Sequence, residues 1–305
     1  MLIFVTSDKG GTGRSVTSGN LAYRRALYGD DVCYLDFDFG SPTAAGVFDI
    51  AAAGAMLEHG GLHSYLQGRA STPRALDVWA ASDRRTLSSP TAVRGRLDLF
   101  PGDAGGGEFA ITPQATDNCV DLLLRLEEEF DCCFVDCSAG RSYALDMMLT
   151  ATADPRLAHV CCRWLVFHRW TRQHVAAAAG LVFGPRGVLQ SGIVRGHDRE
   201  ALRDSVRFVR TAVPSADAHG LGQLRPSQVA WLRECDDQLR SLAVRLHLGP
   251  SVVLGTTPFE PLLQWREQII TDADVSITRV ANAATVDAFD DLARRLSDAT
   301  AWEGL

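Results

Sequence analysis

The chain has 305 residues, 46% of them hydrophobic, and a formal net charge of −7. That length and apolar share support a large α/β core, and the acidic balance excludes a surface that attracts nucleic acid through overall charge, leaving only local patches for that purpose. With no fixed-period repeat, low-complexity tract or Pro/Gly/Ser-rich linker, residues 1–305 are expected to form a single domain.

The opening run Met1-Leu2-Ile3-Phe4-Val5-Thr6 lacks the pattern of a secretory leader, and nowhere does an apolar stretch approach about eighteen residues, so the protein is expected to be cytoplasmic. Residues 2–6 are instead expected to be a buried parallel strand. They enter the glycine loop Asp8-Lys9-Gly10-Gly11-Thr12-Gly13-Arg14-Ser15. From Ser15 to about Tyr28 the residues Val16, Leu21, Ala22, Ala26 and Leu27 recur at helical spacing, and Gly29 stops that helix. A second apolar strand, Val32-Cys33-Tyr34-Leu35, ends in Asp36-Phe37-Asp38-Phe39-Gly40.

Beyond it, short helices are expected near 44–58 and 62–69, a strand at 97–100, a helix over 114–129 and a strand over Cys132-Cys133-Phe134-Val135-Asp136. Further strands are expected at 159–166, 188–194 and 251–255, and helices near 170–183, 198–212, 226–247 and 285–298. Strands alternating with helices in this way argue for a doubly wound, mostly parallel sheet with helices on both faces. Ligands of such sheets bind beyond the carboxyl ends of the strands.

A glycine loop between a strand and a helix presents backbone N–H groups and a helix N-terminus to phosphate oxygens. Lys9 is the lone lysine among the thirty Lys and Arg residues. Its retention inside this loop points to a need for a compact positive charge there. Asp36, Asp38 and Asp136 all stand at strand ends, where they would face the same ligand. The eight cysteines contain no CxxC pair and lie mostly in apolar runs, as small buried hydrophobes do.

The order KGGxG, a basic residue and Ser resembles the deviant Walker A loop of the ParA, MinD and nitrogenase-iron-protein group of P-loop NTPases. Asp36-Phe37-Asp38-Phe39-Gly40 is similar to that group's switch I, and Phe134-Val135-Asp136-Cys137-Ser138-Ala139-Gly140 to its Walker B and switch II. The resemblance implies a three-layer, Rossmann-like domain that binds ATP and Mg²⁺. It assigns nucleotide contacts to Lys9, Gly10, Gly11, Thr12, Gly13, Arg14, Ser15, Val16 and Pro258. Magnesium falls to Ser15, Asp36 and Asp136, partly through water. Asp38 would orient the attacking water, and Lys9 would reach the nucleotide of a second subunit across a two-fold interface. Asp136 and Gly140 would couple the phosphate to switch II.

Three positions depart from the group's pattern. Arg14 replaces the P-loop lysine, Ser138 stands where many relatives have proline, and Arg195 follows Gly192-Ile193-Val194 where relatives often carry an Asn near the base. Gly255-Thr256-Thr257-Pro258-Phe259-Glu260 is similar to the segment beside the adenine. Residues 50–95 and 198–250 diverge from the group.

In the second of these, Arg199, Arg203, Arg207 and Arg210 recur at helical spacing, interleaved with Asp198, Glu200 and Asp204. Such a face is either a DNA-phosphate or docking stripe or a solvated surface. His168, Trp170 and His174 cluster without a third ligand at metal spacing, so packing is the expected role. The C-terminal helix, apolar through Val286, Phe289, Leu292, Ala293 and Leu296, is acidic on its other side, unlike a basic membrane anchor.

The expected function is a Mg-ATP-dependent homodimerising switch that recruits a protein or DNA, with hydrolysis slowed by Arg14. The alternatives are a nucleotide-binding module that does not hydrolyse ATP, or a P-loop biosynthetic enzyme.

Overall fold

The structure, a computed structural model, describes residues 1–51, 60–88, 94–214 and 225–303. Its centre is an eight-stranded sheet in the order β3-β4-β2-β5-β1-β6-β7-β8. The strands are β1 (Leu2–Thr6), β2 (Val32–Phe37), β3 (Leu76–Asp77), β4 (Leu97–Phe100), β5 (Cys132–Cys137), β6 (Cys162–Arg169), β7 (Val206–Val213) and β8 (Val253–Pro258). All neighbouring pairs are parallel except the short edge pair β3–β4.

Alternation along each strand builds two cores. Leu2, Phe4, Leu35 and Val135 pack under the helices Pro113–Glu129, Tyr143–Ala151 and Arg172–Phe183. Ile3, Val5, Tyr34 and Phe134 pack on the opposite face under helix α1 (Arg14–Leu27) and the helix Ala283–Arg295. A parallel strand covered on both faces carries apolar side chains in both directions, which is why β1 is buried at every residue. The expected doubly wound architecture is present.

The chain leaves β1 toward β2 on one side, and later crosses from β5 to β6 on the other. β1 is therefore the switch point where such sheets bind ligands. The register pairs Val5 with Asp136 and Asp36 with Asp136, bringing both acids beside the end of β1.

Several expected elements need correction. Residues 188–194 are not a strand: Val188–Arg195 is a helix that buries Val188, Leu189 and Gly192, a helical face, and ends at Gly196 with φ 105°. A Cβ at Gly192 would lie 2.3 Å from a Leu202 methyl, so the glycine permits close packing on the next helix. The helix expected over 198–212 stops at Asp204, as Arg199–Asp204, and Val206–Val213 becomes β7 between β6 and β8. β6 runs three residues later than expected, as Cys162–Arg169. Of the helix expected near 44–58, Ala44–Val47 is formed and 52–59 lie outside the described residues. No described helix is long and apolar enough to cross a membrane.

Candidate phosphate-binding site

The loop between β1 and α1 takes its shape from Gly11 and Gly13, whose φ angles of 68° and 73° are left-handed conformations that glycine adopts without strain. Gly13 is the N-cap of α1. It offers no side chain to the first-turn N–H groups, and no acid lies in that turn, so those donors remain for an anion. Thr211 on β7 donates its hydroxyl to the Thr12 carbonyl and anchors the loop from the neighbouring strand. Gly11, Thr12, Gly13 and Val16 line a cavity of about 270 Å³ together with Ala212 and Pro258. The structure thus gathers these expected contacts around one space. Gly10 is exposed at the loop's tip, and Lys9 makes no side-chain hydrogen bond or ion pair with a described residue.

Arg14 lies elsewhere. Its side chain is 7% exposed, does not line that cavity and is engaged by carboxylates. Nε donates to Asp136 Oδ1 at 2.5 Å, and Nη2 to Asp38 Oδ2 at 3.0 Å and to Ser15 Oγ at 3.4 Å. Burial by itself would make the guanidinium a stronger acid, but Asp136 and Asp38 outweigh it and hold the proton more firmly than usual. Tyr34 completes the cluster: its hydroxyl donates to the other Asp136 oxygen at 2.8 Å and meets Ser18 Oγ at 2.8 Å. Asp36 accepts the N–H groups of Asp38 and Ala44, at 3.2 and 2.9 Å. Burial, followed by the nearby Asp136, pushes its carboxyl up to about 8.

These observations decide how well the expected magnesium donors fit. Both oxygens of Asp136 already accept hydrogen bonds, both oxygens of Asp36 face backbone N–H groups, and a guanidinium nitrogen stands 3.4 Å from Ser15 Oγ. A divalent ion at Ser15 would share this space with a like charge. The set Ser15, Asp36 and Asp136 does not fit a divalent cation in this arrangement.

The turn after β5 is tied to the loop. Gly140, at φ 79°, donates its N–H to the Ser7 carbonyl at 2.7 Å, and Arg141 Nη1 donates to Asp8 Oδ1 at 3.0 Å. Glu108 reaches the same region from the loop after β4, 3.5 Å from Ser138 Oγ, and burial with Asp38 nearby raises its carboxyl pKa. Gly107 donates to the Phe39 carbonyl, and the Phe39 and Phe109 rings lie 4.6 Å apart, so this loop covers the turn after β2.

Tyr34, Glu108, Arg141 and Thr211 are site residues that sequence reasoning passes over. Tyr34 had a usable signal, because it precedes Asp36 by two and a strand puts both on one face. Arg141 adjoins the Phe134–Gly140 motif without belonging to its pattern, and Glu108 and Thr211 lie far from the motifs in sequence.

The downstream candidates separate from the site. Arg195 ends its helix and binds Asp146, 2.9 Å away, rather than a base pocket. The arginine stripe is not one face. Arg199 and Arg203 lie on the short helix Arg199–Asp204, whereas Arg207 and Arg210 lie on β7. Arg207 is 1% exposed, donates to the carbonyls of Ala301, Asp204 and Val206, and lies over Trp302. Arg210 stacks over Trp170, 4.1 Å from the ring centroid. His168 is buried between Trp170 and Phe208, a packing role. Among the described residues no group of three or more His, Cys, Asp or Glu is placed to hold a metal. Five cysteines are buried and Cys161 is exposed.

No family model matches the chain. It is 30% identical over 141 residues to the septum site-determining protein MinD of Bacillus subtilis (strain 168), and the match spans 45% of each chain, less than half of that relative's length. Solved structures extend the likeness in fold. A MinC:MinD cell division protein complex of Aquifex aeolicus aligns with TM-score 0.59 and 15% identity, covering 97% of this chain and 95% of that one. A proposed plasmid partition protein of Borrelia burgdorferi B31 bound to AMPPNP aligns with TM-score 0.59 and 14% identity over 97% of each. pNOB8 ParA bound to nonspecific DNA aligns with TM-score 0.57 and 13% identity, covering 97% and 98%. The glycine loop and the acid-bearing strand ends thus lie on a fold that this chain shares with solved MinD and ParA structures.

Proposed function

We propose that this chain is one adenine-nucleotide-binding domain that acts as a dimerising switch, hydrolyses ATP slowly and recruits a partner when loaded. The observation that carries the reading is the loop with left-handed Gly11 and Gly13 opening, at the uncapped start of α1, on the cavity shared with Val16 and Pro258. The AMPPNP of the Borrelia structure supports adenine as the base. Lys9, whose side chain has no hydrogen-bond or ion-pair partner among the described residues, suits a contact to a second subunit's phosphates, where a flexible ammonium offsets the burial of facing anions.

A protein partner is preferred to DNA. One aligned structure is a MinC:MinD complex and another holds DNA, but here the arginines expected to track phosphate are divided between a helix and a buried strand. A cytoplasmic place follows from the same reading.

Slow hydrolysis follows from Arg14, because phosphoryl transfer depends on positioned charge and this guanidinium is held by carboxylates. Calorimetry with ATP, ADP and GTP tests the binding. Light scattering tests the switch: ATP should double the mass of the natural protein and leave Lys9→Ala monomeric. Folded protein that gives no heat with any of the three nucleotides would end the reading.

A further inference from the structure

We propose that Arg14 takes the place of the divalent cation, so that this site binds a nucleoside phosphate without metal. The inference rests on the nucleotide reading above and names the cation that the site uses. A P-loop commonly meets its phosphates with a metal on the loop hydroxyl, steadied by carboxylates behind it. Here those same groups surround a side chain. The Arg14 guanidinium is 3.4 Å from Ser15 Oγ, 3.0 Å from Asp38 and 2.5 Å from Asp136.

The position is built rather than incidental. Arg14 is 7% exposed, and Asp136, itself 1% exposed, is fixed on its other oxygen by Tyr34. Ser18, one turn along α1, sets its hydroxyl 2.8 Å from Tyr34 Oη and 2.9 Å from the Arg14 carbonyl, either of which can take its one proton. The stem, the charge and the counter-charges are therefore held together by one polar cluster. Arg14 Nε and Nη2 are engaged, whereas Nη1 makes no hydrogen bond with a described residue. That nitrogen is the donor left for a phosphate oxygen.

Two consequences follow from charge. A divalent ion gains little at Ser15, because the carboxylates that would steady its water are already neutralised and the guanidinium repels it. A lysine at position 14 could not do the same, since a compact ammonium lacks the planar fork that joins two carboxylates. Shortening the side chain to lysine should free Asp136 and Asp38 and return a metal requirement.

The test is calorimetric titration of ATP into the natural protein and into Arg14→Lys, each in excess EDTA and in excess magnesium chloride. The expected result is an affinity within about threefold in the two buffers for the natural protein and a gain of at least about tenfold with magnesium for Arg14→Lys. A gain of that size with magnesium in the natural protein overturns the proposal, as does an Arg14→Lys protein indifferent to the metal. If Arg14→Lys melts as an unfolded chain, Arg14→Gln replaces it, and retained affinity for ATP in EDTA then overturns the assignment. Absence of binding in both buffers by folded natural protein ends the nucleotide reading itself, a result distinct from a metal-dependent affinity.

Discussion

Arg14 and Arg207 are both buried arginines, on opposite sides of β1, and they are held in opposite ways. Arg14 lies among carboxylates, where its charge is needed and strengthened. Arg207 lies against backbone carbonyls and the Trp302 ring with no carboxylate bound among the described residues, and burial, together with Arg163 nearby, lowers its pKa. The first arrangement concentrates charge at the start of α1, behind the glycine loop. The second uses a long side chain as packing with a polar end, so identical residue types serve a site on one half of the sheet and a core on the other.

The comparison breaks most readily at Arg14. Arg14→Leu strands Asp136 beside Tyr34 without its cation and should lower stability by about 3–5 kcal/mol. Adding Asp136→Asn should recover much of that loss, which urea melts of the two variants and the double variant can measure. Additive losses would show that the two residues do not act as a pair.

The β6 side should reveal itself in pH. His168 is 1% exposed, and burial, with Arg210 and His174 nearby, brings its pKa down to about 4 although the Arg169 carbonyl hydrogen-bonds Nδ1. The unfolded chain binds that proton near pH 6.5, so below it the unfolded state is favoured. Stability should be complete above about pH 6.5 and fall by roughly 3 kcal/mol as the pH drops to about 4. Urea melts across that range should show a shallower slope for His168→Phe, and equal slopes would place the titration elsewhere.

Arg207→Met keeps the stem and removes the donors to three carbonyls, at a cost of about 1–3 kcal/mol. Nucleotide affinity measured by calorimetry should not change, in contrast to any change at Arg14. The smallest effect has the opposite sign. Ala212 lines the cavity at φ 49°, a conformation unfavourable to a residue with a Cβ, so Ala212→Gly should raise stability by about 0.5–1 kcal/mol in thermal melts.

The two halves also differ in how far sequence could be read. On the β1–β2–β5 side each strand is an apolar run bounded by a motif, and Leu97–Phe100, Pro113–Glu129 and Cys132–Cys137 fall where periodicity puts them, within a residue at each end. On the β6–β8 side two signals mislead. Val188, Leu189, Ile193 and Val194 form an apolar cluster as suited to a strand as to a short helix, and only the contact of Gly192 with Leu202 decides the matter. In Val206–Val213 the arginines at 207 and 210 imitate a helical stripe, because their aromatic partners Trp302 and Trp170 are remote in sequence. At the site, the glycines and the three acids were legible as residues gathered at neighbouring strand ends. The embrace of Arg14 was not, since it depends on the distance between α1 and β5, which no local pattern records.

Arg141 binds Asp8 with one nitrogen and the carbonyls of Gly180 and Arg186 with two others, while its neighbour Gly140 is bonded to Ser7. One side chain thus spans the start of the phosphate loop and the far end of the helix Arg172–Phe183. In mechanical terms it is a tie rod between two otherwise separate parts. A displacement of the loop of even a fraction of a hydrogen-bond length would load that helix end directly, rather than dissipate through the sheet.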